Sequence, residues 1–287
     1  MARGAALEAV TRWPGLAGAT AVGISVLIPC WHAELTIGGA LDSVEAQQGL
    51  PGPVGVEIVV VVDGRQQDRQ AVIRWIESKG SGRRWAITLV CLTQNCGAGA
   101  ARKAGYRHCS GPFLAFLDDD DEWHPKKLAL QWGWHQANPG QIASGHGYNI
   151  IPKGHAVSFR RLLIGRHTLA TPTLMIRRAL WPYEPEPYRF GEDTLMLAMI
   201  ALMQPIHVLS ENLAWRSPKA PRLMDDNYSL SRQRLKLRAG KIKGIMILYQ
   251  RGVLSPIWIP ALLAWNLLLA IRRWLLDLRT CARPGDL

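Results

Sequence analysis

Between Ile24 and Asp118 the chain alternates short β-branched and aliphatic runs with longer amphipathic stretches, and this alternation restricts the fold more than any other property of the sequence. Residues 24–28, 56–62, 87–92 and 113–117 read as strands, and 35–47, 68–78 and 98–108 as helices. Val59, Val60, Val61 and Val62 follow one another without polar interruption. A strand covered on both faces of a parallel sheet has this pattern. Strands joined by helices in this order form βαβ units, so a three-layer α/β domain with a mostly parallel central sheet is expected. Ligands of such sheets sit in the crevice outside the carboxyl ends of the strands. The residues to inspect are therefore Pro29 and Cys30, Asp63, Asn95 to Gly99, and Asp118 to Glu122.

The run Asp118-Asp119-Asp120-Asp121-Glu122 is the least ordinary of these. Adjacent acids repel one another, and placing them beside a buried strand is costly unless a cation or a helix terminus offsets them. Asp121 and Glu122 could charge the first turn of a helix over 123–137, which Pro125 would help to start. That leaves Asp118, Asp119 and Asp120 unexplained, and favours a divalent ion on hard oxygen ligands. The glycine and distal glutamate of an EF-hand loop are missing. Asp63 precedes Gly64, and on its own this pair marks a turn. The stretch from Gly97 to Gly105 has Arg102 where a dinucleotide-binding loop needs its third glycine. It reads either as a helix start whose N–H groups and cations meet a phosphate, or as close helix–sheet packing through small residues. Gly191-Glu192-Asp193 precedes an apolar helix over 194–203. The helix dipole favours acids there, and a carboxylate held rigidly at a cleft could accept a proton.

The 287 residues carry 34 Lys and Arg against 22 Asp and Glu, a net charge of +12. A chain of this length buries roughly three quarters of its unfolded surface and needs no covalent staples. The five cysteines have no CxxC pair, so they read as reduced thiols in a reducing compartment. Pro14, Gly15, Gly18 and Gly23 interrupt the first apolar stretch, and no export signal is expected there. His32, His124, His146 and His207 fit no metal-ligand spacing and read as structural or solvated. Between Tyr228 and Leu276 there are nine cations and no acid, and residues 253–271 are uncharged. Pro256 and Pro260 break the start of that segment, and the helix that follows would rise only about 22 Å, against a hydrocarbon core of roughly 30 Å. A helix lying in the membrane interface, or re-entering it, is favoured over a tail packed on its own domain and over a true span. Nucleic acid is not the expected partner, since aromatics such as Trp132 and Trp134 read as helix-face residues.

These motifs, taken in order, resemble those of the family 2 glycosyltransferases. The resemblance runs from about Ile24 to Ser231. Ser25 to Trp31 is similar to the family's first strand, and Ile58 to Gly64 to its second, with Val62 in place of an acid. Asn95 to Gly105 is similar to its Asn-x-Gly…Ala-Arg-Asn-x-Gly stretch, with Lys103 in place of Asn. Phe116 to Leu128 resembles its DXD segment, Thr171 to Arg177 its next strand, and Gly191-Glu192-Asp193 its Glu-Asp motif. Trp215-Arg216 and Ser229 to Ser231 also fit, and no Gln-x-x-Arg-Trp motif of processive synthases is present.

The resemblance implies a GT-A fold and an inverting, non-processive transfer of one sugar from a nucleotide-diphosphate donor to a hydroxyl. Asp63 would contact base or ribose, Arg102 the base or diphosphate, and Asp118 the ribose or metal. Asp120 would ligate Mg²⁺ or Mn²⁺, and Asp193 would be the general base. Pro29 and Asp119 are expected on the nucleotide-sugar side, with Glu192 and Asp121 close by. The expected divisions are an N-terminal extension over 1–23, a catalytic domain over 24–230 whose halves meet at 125/126, and a basic, membrane-associating helical tail over 231–287. The expected acceptor is a saccharide or a lipid-linked sugar of the bacterial cell surface, met on the cytoplasmic face of the inner membrane. Acceptor specificity is expected in the loop over 145–167. Two competing readings are a catalytically degenerate membrane-binding protein on the same scaffold, and a sugar nucleotidyltransferase. The second needs a Gly-rich loop after the first strand, and residues 29–34 offer none.

Overall fold

The structure, a computed structural model, describes residues 6–15, 21–150, 152, 154–164, 169–181, 191–220 and 234–281. Ser229, Ser231, Arg232 and His167 lie outside the described residues. The described elements are β1 (Leu7–Trp13), β2 (Val22–Cys30), α1 (Ile37–Glu45), β3 (Gly55–Asp63), α2 (Gln66–Lys79), β4 (Ala86–Leu92), α3 (Ala98–Tyr106), β5 (Phe113–Phe116) and β6 (Asp121–Trp123). They continue with α4 (Lys127–Ala137), β7 (Ala143–Tyr148), β8 (His155–Val157), α5 (Phe159–Leu163), β9 (Met175–Arg177), α6 (Glu192–Met203), β10 (Ile206–Arg216), α7 (Arg234–Gln250) and α8 (Ile259–Cys281).

One sheet joins the strands in the order β1-β4-β3-β2-β5-β9-β7-β10-β6, with β8 on β10. From β4 to β5 it is parallel, β2 lying between β3 and β5 and β3 against β4. The two faces bury alternate residues of the same strands: Leu27, Val59 and Val61 on one, Val26, Ile58, Val60 and Val62 on the other. This two-sided burial is why the valine run shows no polar alternation. The helix α3 lies close on β2 and β3, and a Cβ at Gly105 would strike the side chains of Leu27 and Val61. The small residues of that stretch therefore serve packing; the helix start at Gly97 is a separate matter, taken up with the site.

Beyond β5 the sheet is mixed. The strand β9 runs antiparallel to both β5 and β7, while β7 and β10 are parallel. The sheet is continuous across the expected 125/126 division, and the stretch expected as an N-terminal extension supplies β1, an edge strand antiparallel to β4. Part of the expected specificity loop is likewise regular structure, namely β7, β8 and α5.

The expected helix over 123–137 starts only at Lys127. Asp121, Glu122 and Trp123 form β6 instead, antiparallel to the end of β10. A strand's period of two turns Asp121 and Trp123 inward and leaves Glu122 more exposed, and Pro125, by steering His124 away from helical geometry, keeps the helix from starting earlier. Asp121 and Glu122 are therefore not helix-terminal charges.

The basic tail forms two helices. Leu254, Leu262 and Asn266 are buried against the domain, and the Trp265 indole N–H donates to the Ile164 carbonyl at 3.0 Å. Among the described residues no helix is long and apolar enough to cross a membrane. The four described cysteines with placed side chains, Cys30, Cys91, Cys96 and Cys109, are free thiols.

Candidate active site

The carboxyl ends of β2, β3 and β5 converge with the segment leading into β6 and with the first turn of α6. Pro29 is enclosed within β2, in register with Val61, and the residue of that strand's end that reaches the surface is Trp31, 40% exposed. The turn after β2 is held by two acids. Asp119 accepts the Trp31 N–H at 2.7 Å, and the fully buried Asp68 accepts those of His32 and Ala33, each at 2.9 Å. His32 sits at φ 57°, and its ring meets the Arg65 guanidinium, which also pairs with Glu34.

Asp63 ends β3 almost fully buried. Its two carboxylate oxygens accept the N–H groups of Cys96 and Gly97, both at 2.7 Å. This fixes the approach to α3. One face of α3 then carries Arg102 inward, only 5% of its side chain exposed. Arg102 donates to Asp118 at 2.7 Å and lies 4.0 Å from Glu192 of α6. Burial opposes its charge, but Asp118 and Glu192, with Asp193 beyond them, outweigh burial and hold the guanidinium more firmly protonated than usual. Its Nε is buried without a partner among the described residues, a donor that an anion could satisfy.

Arg216, the last residue of β10, makes the second such contact, 3.0 Å from Asp120. Its neighbour Ser217 donates its N–H to the Asp120 carbonyl at 2.8 Å and its hydroxyl to Glu122 at 2.7 Å. The acidic segment is thereby stitched to β10 by backbone and side chains together. Asp121, enclosed beside β10, accepts the Tyr148 hydroxyl at 2.6 Å.

Acids thus outnumber arginines at this edge, and the excess shows in proton affinity. Burial raises Asp119, with the charges of Asp120 and Asp118 adding to it; burial and Asp118 raise Asp120 against the pull of Arg216. Asp121 is pushed up to about 8 by burial and by the charge of Asp118, against the Tyr148 hydrogen bond. Glu192 is pushed up to about 7 by burial, with Arg102 opposing and Asp193 adding.

This donor set fits a divalent ion. Asp118 and Asp120 offer hard oxygens one residue apart, in a place short of positive charge. Among the described residues no three His, Cys, Asp or Glu side chains form a metal cluster by themselves. An ion held by one or two carboxylates, its other positions filled by phosphate oxygens and water, is how Mg²⁺ usually binds.

Asp193 lies on the first turn of α6, exposed, its Oδ1 accepting the Thr194 N–H at 2.7 Å. The helix opens at Gly191, at φ +80°, where a Cβ would also press on the backbone of Gly240. Only glycine relieves both constraints.

The fold thus brings Asp63, Arg102, Asp118, Asp119, Asp120, Asp121, Glu192 and Asp193 to one edge. Sequence reasoning missed Asp68 and Tyr148, and took Arg216 only as part of a motif. Asp68 sits three residues after Arg65 on a helical period, a spacing that signals a pair but not its contact with the first strand.

Asp121 gives a test by pH. A carboxyl of ordinary pKa near 3.9 when unfolded and about 8 when folded binds its proton more tightly in the folded state. The stability it adds is complete below pH 4 and is lost as pH rises through 8. Asp121→Asn keeps the acceptor for Tyr148 and removes the titration. Its Tm is expected to match the parent's near pH 4.5 and to exceed it by about 2–6 °C at pH 9. Parallel Tm curves across that range would show that Asp121 does not titrate in this way.

Residues 25–197 match the model of Glycosyl transferase family 2. An uncharacterized glycosyltransferase of Nostoc sp. is 28% identical over 239 residues, 76% of this chain and 71% of its own. A curated relative from Escherichia coli, UDP-Glc:alpha-D-GlcNAc-diphosphoundecaprenol beta-1,3-glucosyltransferase WfgD, is 31% identical over 108 residues, 38% of this chain and 39% of that protein. Residues 1–349 of Staphylococcus aureus TarS, solved with UDP-GlcNAc, share the fold with a TM-score of 0.61 at 20% identity, over 86% of this chain and 72% of that one. The mannosyltransferase PcManGT from Pyrobaculum calidifontis, solved with GDP-Man and Mn²⁺, gives a TM-score of 0.61 at 19% identity, over 92% and 76%. The match over more than half the chain makes this protein a glycosyltransferase belonging to family 2.

Proposed function

We propose that the enzyme moves one sugar, with inversion, from a nucleotide-diphosphate donor to a hydroxyl of a saccharide or lipid-linked acceptor at a membrane surface, with Mg²⁺ or Mn²⁺ as its cofactor. The observation that carries this reading is the pair Asp118 and Asp120, one residue apart at the carboxyl edge and each held by an arginine from a different element. The name of the E. coli relative gives it a UDP-glucose donor and a diphosphoundecaprenol-linked acceptor, which supports a donor and acceptor of these classes here. The nine cations between Tyr228 and Leu276, a stretch without acids, support a place on an anionic surface, for which the cytoplasmic face of the inner membrane is our assignment.

Asp118 and Asp120 would hold the ion, which when bound acts as a Lewis acid on the departing diphosphate. The chain's own groups do the rest. Asp63 and Asp119 shape the nucleotide crevice by fixing the backbone at Cys96, Gly97 and Trp31. Arg102, with its unpartnered Nε, and Arg216 supply positive charge for the diphosphate without reorganisation at the moment of reaction. On the acceptor side, the bond from the acceptor oxygen to the anomeric carbon forms as the bond to the diphosphate oxygen breaks. The acceptor's proton passes to Asp193, and the electron pair leaves with the diphosphate.

A thermal-shift panel of UDP- and GDP-sugars tests the reading. At a hundredfold excess over Kd a bound donor adds about 2.7 kcal/mol of stability. The expected result is a Tm increase for at least one donor that needs Mn²⁺ or Mg²⁺, and hydrolysis of that donor in the same buffer. A flat response to the whole panel, with and without metal, rejects it.

A further inference from the structure

Lys127, the first residue of α4, is wholly buried, and its Nζ has no hydrogen-bond partner among the described residues. Burial alone pushes its amine well below the usual lysine range, with no described carboxylate to offset the cost. An unbranched apolar side chain would fill the same space more cheaply. Stability therefore does not account for the lysine, and its contacts must. Its Nζ stands 3.6 Å from the centre of the Trp123 ring, a cation–π contact shielded from water. Its charge also reaches His146, whose Nδ1 donates to the Gly147 carbonyl at 2.8 Å. That leaves His146 an acceptor at Nε2, which has no partner among the described residues.

These contacts tie two strands together across a third. On β6, Asp121 and Trp123 share a side, and on β7 so do His146 and Tyr148. The strand β10 runs between them, and its Ala214 is in register with both Trp123 and Tyr148. A methyl group there lets longer side chains reach over. Tyr148 crosses to Asp121 at 2.6 Å, and Lys127 makes the second rung, from Trp123 toward His146. The Trp123 indole N–H is pinned in turn, donating to the Pro172 carbonyl at 2.9 Å. Since β6 is three residues long and its described strand partner is the end of β10 alone, side-chain anchors of this kind set its seat.

We propose that Lys127 is a positioning residue for the ion-binding acids, fixing Trp123 and through it the strand into which Asp118 and Asp120 lead. The inference rests on the metal-dependent transferase reading above. The amine pairs with none of the described acids, so its effect passes through the ring and the backbone of β6.

The test uses the full chain. Lys127→Met keeps an unbranched side chain and removes the charge. Without nucleotide or metal its Tm at pH 7.5 is expected to rise by at least about 3 °C, because a buried unpaired amine is gone. Calorimetric titrations of UDP and GDP, in Mn²⁺ and in EDTA, read the positioning. The factor by which Mn²⁺ tightens the nucleotide is expected to fall at least about fivefold, within the range of a desolvated cation–π contact, while affinity in EDTA stays within about twofold of the parent. Trp123→Phe, which gives up the bond to Pro172, is expected to lower that factor as well. The double variant should lose less than the product of the two single losses, because both act on one ring. A parent-like Mn²⁺ factor in Lys127→Met, a double variant that loses the full product, or a Tm below the parent's overturns the proposal. A parent that binds neither nucleotide in Mn²⁺ refutes the transferase reading beneath it, and this inference with it.

Discussion

Asp193→Asn is expected to lower turnover by a factor of about 10² to 10³, on the order of 3–4 kcal/mol of barrier, with donor affinity within about threefold of the parent. Asparagine has the same shape and can accept the Thr194 N–H that Asp193 accepts now, so the first turn of α6 should stand unchanged. What is lost is the capacity to take a proton from the acceptor as it attacks. The arrangement favours Asp193 over its neighbour. Asp193 is exposed at the helix start, whereas Glu192 is mostly enclosed and leans toward Arg102. Glu192→Gln is the control: it should change donor affinity, through Arg102, more than it changes kcat. Single-turnover rates for both variants at saturating donor decide the matter. Parent-like turnover in Asp193→Asn, or a larger fall in Glu192→Gln, removes Asp193 from its role.

Asp120→Ala should cost turnover by a similar factor, about 10² to 10³, but through a different quantity. The metal-dependent part of donor affinity is expected to vanish, so that titrations of UDP or GDP with and without Mn²⁺ give the same weak Kd. The substitution also removes the Asp120 contact of Arg216, and on the proposed function the arginine's charge should preserve some metal-independent binding of the diphosphate. Since Asp118 and Asp120 are each paired to an arginine before any ligand arrives, bare Mn²⁺ should bind the parent weakly and the ion should enter together with the nucleotide. Tight Mn²⁺ binding that survives Asp120→Ala would place the ion elsewhere.

Much of this site was legible in the sequence because the parallel half of the sheet leaves a simple trace. A valine run with no polar break has to be a doubly covered strand, and in such a sheet the residues after each strand share one edge. Asp63 and Asp118 could be placed together on that ground alone, while Arg102, inside α3, entered only through the resemblance and the helix-start reading. The segment from Asp121 to Trp123 misled because three residues are too short for periodicity to separate a strand from a helix start. Its partner, the end of β10, is more than ninety residues away in sequence, and pairing over that distance leaves no local mark. Arg216 escaped for the same reason. Asp119 looked like a ligand residue by its company, yet it spends an oxygen on the Trp31 amide, a contact set by how two loops pack. The tail's basic composition was plain, but which of its faces packs inward depends on α5 and α6, neither of which its own sequence specifies.

The position of β1 bears on how the chain is made. Leu7 pairs with Leu92 and Trp13 with Ile87, so this strand, once made, waits for a partner about 80 residues behind it. During synthesis it has no ladder to join, and contacts of such long separation form slowly. The strand that borders the finished sheet is therefore a late arrival, closing over β4 only after the parallel core has assembled.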